Sequence, residues 1–304
     1  PMRIGIAGLG RLGSAMAERL AEGGRELVVW NRSPEKAASL VERGATPATS
    51  PADLTSRADV VLTILTDADA IDAVYNGADG LLAGDAAGKL FIDMSTVQPQ
   101  TEIDLAVKVR AKSAAFIECP VGGTTGPARQ GKLIGLVGGE AADLERARPV
   151  LEQLCRRIEH AGPVGAGASM KLAINLPLMV FYQALGEAYS LLKHLGQDPV
   201  KVMDLLADTS GGPNILKVRG PAIAMALQGN DPGPPTFDVE SIRKDLRTML
   251  AEGARLGYSL PLVERTLAVF DEAAAVGWAK RDGSTLPAFW PNRTGRKPQH
   301  EEPQ

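Results

Sequence analysis

The chain has 304 residues, roughly two domains' worth, and its 44% hydrophobic and 23% charged residues are the proportions of a globular protein. Thirty-three Lys and Arg against 36 Asp and Glu give a net charge of −3, which argues against nucleic-acid or membrane-surface binding, since both need a basic footprint. Cys119 and Cys155 are too few for a disulfide framework or a four-thiolate zinc site. With no export signal and no apolar run of membrane length read in the chain, a reducing, cytoplasmic setting is expected.

The chain opens with a short apolar run over residues 2–7, the pattern of a buried parallel strand. Gly8-Leu9-Gly10-Arg11-Leu12-Gly13 follows, then a segment of helical periodicity over residues 14–21 and a second strand over residues 26–31. Strand, Gly-x-Gly-x-x-Gly, helix and strand in this order form the dinucleotide-binding arrangement. Gly8 turns the chain off the strand, Gly10 lets pyrophosphate approach the backbone, and Gly13 allows close helix–strand packing. The helix N-terminus then offers N–H groups to the phosphates.

The end of the second strand selects the cofactor. An acidic residue there would bind the ribose 2′-hydroxyl of NAD. This chain has Asn31 and Arg32, followed by Ser33 and Lys36. The planar fork of Arg32 suits a 2′-phosphate, so NADP(H) is expected over NAD(H). The alternative is that Arg32 and Lys36 are a solvated helix start.

Further strands are expected over residues 59–65, 89–96, 115–120 and 133–139, separated by helical stretches. That alternation predicts an α/β Rossmann domain with a doubly wound, mostly parallel sheet. Ligands bind beyond the C-terminal ends of such strands, where Thr66, Ser95, Thr96 and the 122–126 loop fall. The pattern changes at the glycine-rich stretch 162–167, read as a linker, and an all-α domain follows. Residues 168–195 read as one long helix, kinked or broken at Pro177, and helices are expected over 241–256 and 262–276. The organisation predicted is 1–162 as NADP-binding domain, 163–290 as helical substrate and dimerisation domain, and 291–304 as a polar, disordered tail.

Five segments, in matching order and spacing, resemble the β-hydroxyacid dehydrogenase family of 3-hydroxyisobutyrate dehydrogenases and tartronate semialdehyde reductases. They are the glycine motif; Asp93-Met94-Ser95-Thr96; Glu118-Cys119-Pro120-Val121-Gly122-Gly123-Thr124; the stretch from Gly167 through Lys171 to Asn175; and Lys244-Asp245-Leu246. Asp282-x-Ser284 is a weaker echo. The resemblance spans about residues 2–286 and implies a Rossmann domain followed by a helical domain that shares in dimer formation. By resemblance, Lys171 matches the catalytic lysine and Asn175 the asparagine that orients substrate. Lys244 matches a lysine near the nicotinamide, and Leu65, Thr66 and Thr96 match cofactor-contacting positions.

The chemistry supports these roles. Hydride transfer to a carbonyl needs a group that handles the proton, and residues 171 and 175 share a helix face. Read alone, Lys171 is also compatible with an exposed lysine at a helix start, and Asn175 with an amide satisfied inside a bundle. The family pattern departs at one point. Its usual Asp-Ala-Pro-Val-Ser-Gly-Gly places a serine hydroxyl on the substrate carboxylate, whereas this chain has Gly122. Backbone N–H groups of Gly122 and Gly123 remain as an anion nest, with Thr124 beside them and Ser95 as a further substrate contact. Cys119 reads as a small core residue or a pocket wall. The histidines His160, His194 and His300 lack ligand spacing, so no metal is expected.

The expectation is therefore an NADP(H)-dependent oxidoreductase that interconverts a small 3-hydroxy acid with its semialdehyde or keto acid. Lys171 would be its general acid/base, and the protein a homodimer or dimer of dimers. Two alternatives stand beside it: an imine reductase on the same scaffold, and a non-catalytic NADPH-binding regulatory module.

Overall fold

The computed structural model describes residues 2–293; residues 294–304, most of the expected disordered tail, lie outside the described residues. Residues 290–292, where that tail begins, form a 3₁₀ turn.

Six short strands pair in parallel: β1 (Arg3–Ala7), β2 (Glu26–Trp30), β3 (Thr46–Pro47), β4 (Val60–Thr63), β5 (Leu90–Asp93) and β6 (Ala115–Glu118). Their order is β3-β2-β1-β4-β5-β6, so the chain reverses its direction of travel across the sheet between β1 and β4, the place where such sheets bind ligands. The sheet continues through β7 (Val121–Gly122) and β8 (Leu133–Gly138), with β8 antiparallel to both β6 and β7, and through β9 (Cys155–Gly162), parallel to β8. Helices α1 (Arg11–Glu22), α2 (Ala38–Glu42), α3 (Pro51–Arg57), α4 (Ala68–Asn76), α5 (Pro99–Arg110), α6 (Thr125–Arg129) and α7 (Ala141–Leu154) complete this part.

Side chains alternate across a strand, and both faces of the parallel strands are covered. Leu62, Ile92 and Ile117 therefore join Ile4, Met16 and Leu20 in one core. Val61, Phe91 and Phe116, one residue back on the same strands, join Leu54 and Tyr75 in the other. That double burial is why the strands read as continuous apolar runs. The β9 strand has no such run, because Arg156, Arg157 and Glu159 are exposed along it. Charge of this kind is typical of a sheet edge.

The chain divides into two compact units. The first runs to Asn175 and also takes in Arg247–Ser259; the second comprises Leu176–Leu246 and the chain from Leu260 onward. The long helix α8 (Ala166–Ser190) belongs to the first unit up to Asn175 and to the second beyond it. It runs without a break through Pro177, where the sequence predicted a kink or break. Proline removes the N–H that would bond the carbonyl of Ala173, but both residues are exposed, so that carbonyl is not shut away from solvent.

The second unit is helical: α9 (Pro199–Ala207), α10 (Asn214–Leu227), the start of α11 (Val239–Leu256), α12 (Pro261–Ala273) and α13 (Leu286–Phe289). Leu185, Val202, Met203, Leu216 and Ile223 form its core. The helix expected to reach residue 276 ends at Ala273 and passes into a wider turn, Ala274–Trp278, in which Gly277 takes φ +96°. Asp282 accounts for the Asp282-x-Ser284 echo. It accepts from Ser284 N at 3.0 Å, Ser284 Oγ at 2.6 Å and Thr236 N at 2.9 Å, and pairs with Arg219 at 2.8 Å. Burial works against its charge, but these partners outweigh burial and hold its carboxyl below the usual range.

Candidate active site

The glycine motif forms the turn between β1 and α1. Gly8 has φ +102°, and a Cβ there would lie 2.1 Å from the Ile64 carbonyl oxygen, so only glycine fits. A Cβ on Gly13 would lie 2.0 Å from the Gly8 carbonyl oxygen. Gly10, in contrast, faces open space, with nothing within 4 Å of a Cβ. No side chain caps α1 and no acidic residue of its own stands in its first turn, which Arg11 and Leu12 begin. This cradle fits a dinucleotide pyrophosphate.

Asn31 shapes the cradle from the end of β2. Its Oδ1 accepts from Leu9 N at 2.9 Å and its Nδ2 donates to the Ser33 carbonyl at 3.0 Å. Arg32 and Lys36 beside it are exposed and Ser33 is half-buried. Across the switch point, Leu65 and Thr66 follow β4 and Thr96 follows β5. Ser95 is buried rather than open to a ligand: its Oγ accepts from Leu65 N at 2.9 Å and lies 3.2 Å from Asp93 Oδ2. Its hydroxyl thus holds the Leu65 backbone in place.

Beneath these strand ends lies a group of buried carboxyls. Asp93 accepts from Thr63 Oγ1 at 2.5 Å and from Ser95 N at 2.9 Å. Glu102 of α5 faces it with neither oxygen reached by a donor. Burial, and then the Asp93 charge, push the Glu102 carboxyl well above its usual range. Glu118, at the end of β6, is buried too. Burial pushes it up to about 7, against the lowering effect of the Ala168, Gly165 and Gly167 amides.

After Glu118 the chain pairs once more with β8 through Val121 and Gly122 and leaves the sheet at Gly123. Gly123 takes φ +113°, while a Cβ on Gly122 would stand 3.7 Å from both Ile134 Cβ and Ile174 Cδ1. Ile174 belongs to α8, so the loop and the first turns of that helix lie side by side within the first unit. Thr124 is exposed and its hydroxyl caps nothing. On α8, Lys171 is only 9% exposed, which removes the reading of an exposed helix-start lysine. Its Nζ donates to Asn175 Oδ1 at 3.1 Å, and Asn175 is buried as well.

Lys244 lies on the second unit, half-buried, with its Nζ 2.5 Å from Asp245 Oδ1. That unit also carries a cleft of about 1510 Å³ between the 229–235 loop and the Trp278–Asp282 segment. None of the residues singled out above as cofactor or substrate contacts lines it. Cys119 is fully buried, and burial pushes its thiol well up, as it does that of Cys155; the core reading of Cys119 holds. No group of three or more His, Cys, Asp or Glu among the described residues is arranged to hold a metal ion. No helix among them is long and apolar enough to cross a membrane.

Comparison with known proteins settles the family. Residues 3–162 match the NAD binding domain of 6-phosphogluconate dehydrogenase, and residues 165–289 match a family described as the NAD-binding region of NADP-dependent 3-hydroxyisobutyrate dehydrogenase. The chain belongs to the β-hydroxyacid dehydrogenase family. Among similar members is 3-hydroxyisobutyrate dehydrogenase of Pseudomonas aeruginosa, 36% identical over 85% of this chain and 88% of that protein. Glyoxylate/succinic semialdehyde reductase 1 of Arabidopsis thaliana is 32% identical over 94% and 97%. The 3-hydroxyisobutyrate dehydrogenase of Mycobacterium tuberculosis, solved with L-serine, superposes with a TM-score of 0.82 at 27% identity, covering 95% of this chain and 98% of that one. As a member of this family the protein is an oxidoreductase of the CH–OH class with an NAD(P)-binding Rossmann domain.

Sequence reasoning gave no role to Glu118, Asp93 or Glu102. The signal was present: Asp93 and Glu118 each close an apolar strand, and carboxyls in such places are buried and partnered. Which partner each one finds is decided by residues far away in the chain.

Proposed function

We propose that the protein is an NADPH-preferring dehydrogenase/reductase that interconverts a small 3-hydroxy acid with its semialdehyde or keto acid. The observation that carries this reading is the buried Lys171–Asn175 pair on the stretch of α8 whose Ile174 lies against Gly122. When bound, the dinucleotide supplies or accepts the hydride. The chain's own groups do the rest. Lys171 donates a proton to the carbonyl oxygen as it gains negative charge, and in the oxidative direction neutral Lys171 takes the hydroxyl proton. Asn175 fixes the lysine amine with its Oδ1 and presents its amide to the substrate. The N–H groups of Gly122 and Gly123, with the Thr124 hydroxyl, hold the carboxylate.

Arg32, Ser33 and Lys36 favour a 2′-phosphate at the end of β2, where NAD-binding chains carry an acidic residue. Leu9, Gly10 and Arg11 line the pyrophosphate cradle, with Leu65, Thr66 and Thr96 beyond it. We assign Lys244 to the nicotinamide end on the strength of the family pattern. The second unit leaves Leu191, Leu195, Val200, Leu205 and Val218 exposed, and we assign the homodimer on the strength of the family pattern.

The Gly122 departure keeps imine reduction as a second reading, because the hydroxyl that would hold a carboxylate is missing. A panel of glyoxylate, succinic semialdehyde, 3-hydroxyisobutyrate and a cyclic imine, read by NADPH oxidation or NADP reduction, tests both. Turnover of the acids or semialdehydes is expected. Turnover of the imine alone would move the assignment, and cofactor binding without turnover of any would make the protein a binding module.

A further inference from the structure

We propose that Glu118 is a positioning residue: its Oε1 fixes the first turn of α8, and with it Lys171, against the segment that carries the Gly122–Gly123 loop. The inference rests on the assignment of Lys171 as general acid/base.

Glu118 ends β6, and Gly122 follows four residues later on the same segment. Its Oε1 accepts from Gly165 N at 2.9 Å and from Ala168 N at 3.1 Å, with the Gly167 amide as a third donor. These are the amides that a helix start leaves without intrahelical partners. They are met here by a carboxyl 47 and 50 residues away, rather than by a capping side chain of the helix itself.

The approach is built into the surrounding backbone. A Cβ on Gly167 would lie 2.3 Å from the Leu136 carbonyl oxygen and 3.0 Å from Glu118 Oε1. A Cβ on Gly138 would lie 2.3 Å from the same Oε1. Two glycines therefore clear the space in which the helix start docks on β8. Gly167 and Ala168 stand four and three residues before Lys171, hence one turn below it on the same face. One side chain thus ties the proton donor to the strand end from which the substrate-holding loop emerges. A misplacement of about 1 Å in such a pair costs on the order of 10²-fold in rate.

The test is a mutant cycle measured on a substrate from the panel above. Glu118→Leu removes the acceptor and should lower kcat by about 10- to 100-fold, with NADPH affinity changed less than about twofold. Glu118→Gln keeps the accepting oxygen and should recover most of that loss. In a Lys171→Ala background the cost of Glu118→Leu should shrink below about threefold, because the group it positions is gone. A full, additive cost there overturns the proposal while leaving the Lys171 assignment intact. A loss below threefold in Lys171→Ala alone overturns both. Should Glu118→Leu fail to fold, Gly167→Ala, which pushes the same turn off β8, takes its place in the cycle. Independently of turnover, amide exchange over residues 166–171 should speed up in Glu118→Leu or Gly167→Ala and stay slow in Glu118→Gln; unchanged protection in the first two overturns the clamp.

Discussion

In the proposed function, Arg32 and Gly122 would set the two specificities of the site, one by a charge that is present and one by a hydroxyl that is missing. Arg32 is exposed at the end of β2 and its contact with a 2′-phosphate would be a charge-assisted hydrogen bond, worth about 1.5–3 kcal/mol. Arg32→Ala should therefore weaken NADPH binding by about 10- to 100-fold and NADH binding by less than about threefold. Equal losses in a titration of both cofactors would refute the assignment. At Gly122 the backbone is not in the left-handed region and a Cβ has 3.7 Å of clearance, so a serine fits without strain. Gly122→Ser should raise kcat/KM for simple 3-hydroxy carboxylates by about fivefold, the value of one added hydrogen bond; an unchanged kcat/KM would show that the loop does not hold the carboxylate. At this scale the sequence was readable where spacing decides the outcome. Lys171 and Asn175 are four apart and meet at 3.1 Å. It was silent where partners are distant: the bonds that Ser95 accepts from Leu65 and Asn31 accepts from Leu9 join residues 30 and 22 apart.

At the scale of elements, β5, α5 and β6 each carry a buried carboxyl, Asp93, Glu102 and Glu118. Burial raises all three carboxyls, Glu118 to about 7. A carboxyl raised in the folded state binds more protons there than when unfolded, so its contribution is full below the unfolded value and is lost as pH rises through the folded one. Stability of the first unit should thus fall between pH 4.5 and about 7, with a slope of about 1.4 kcal/mol per pH unit from Glu118. Glu118→Gln should remove that part of the slope in denaturant titrations at several pH values. A slope identical to that of the unaltered protein would count against a buried, protonated Glu118. Asp282 works in the opposite sense: its carboxyl is lowered, and its contribution is lost only as pH falls below the usual 3.8. The parallel strands were legible because their double burial makes continuous apolar runs. The β9 strand was not, since its outer face is charged, and the unbroken passage of α8 through Pro177 depends on the exposure of Ala173, which periodicity does not show.

Across the whole molecule, the composition shift at residues 162–167 marks where β9 ends and α8 begins, whereas the compact units divide inside α8, after Asn175. Lys171 and Asn175 thereby lie on the part of α8 that belongs to the first unit, where the neighbouring Ile174 lies against Gly122. The stretch of the first unit that runs to Asn175 carries the turn after β1, the loop after β6 and the lysine. The central claim is that Lys171 moves the proton. It is tested most directly by the single-turnover rate of NADPH oxidation in Lys171→Ala on a substrate of the unaltered protein. A fall of about 100-fold or more, with NADPH affinity changed less than about twofold, is predicted for a lost general acid. A fall below threefold would contradict the account.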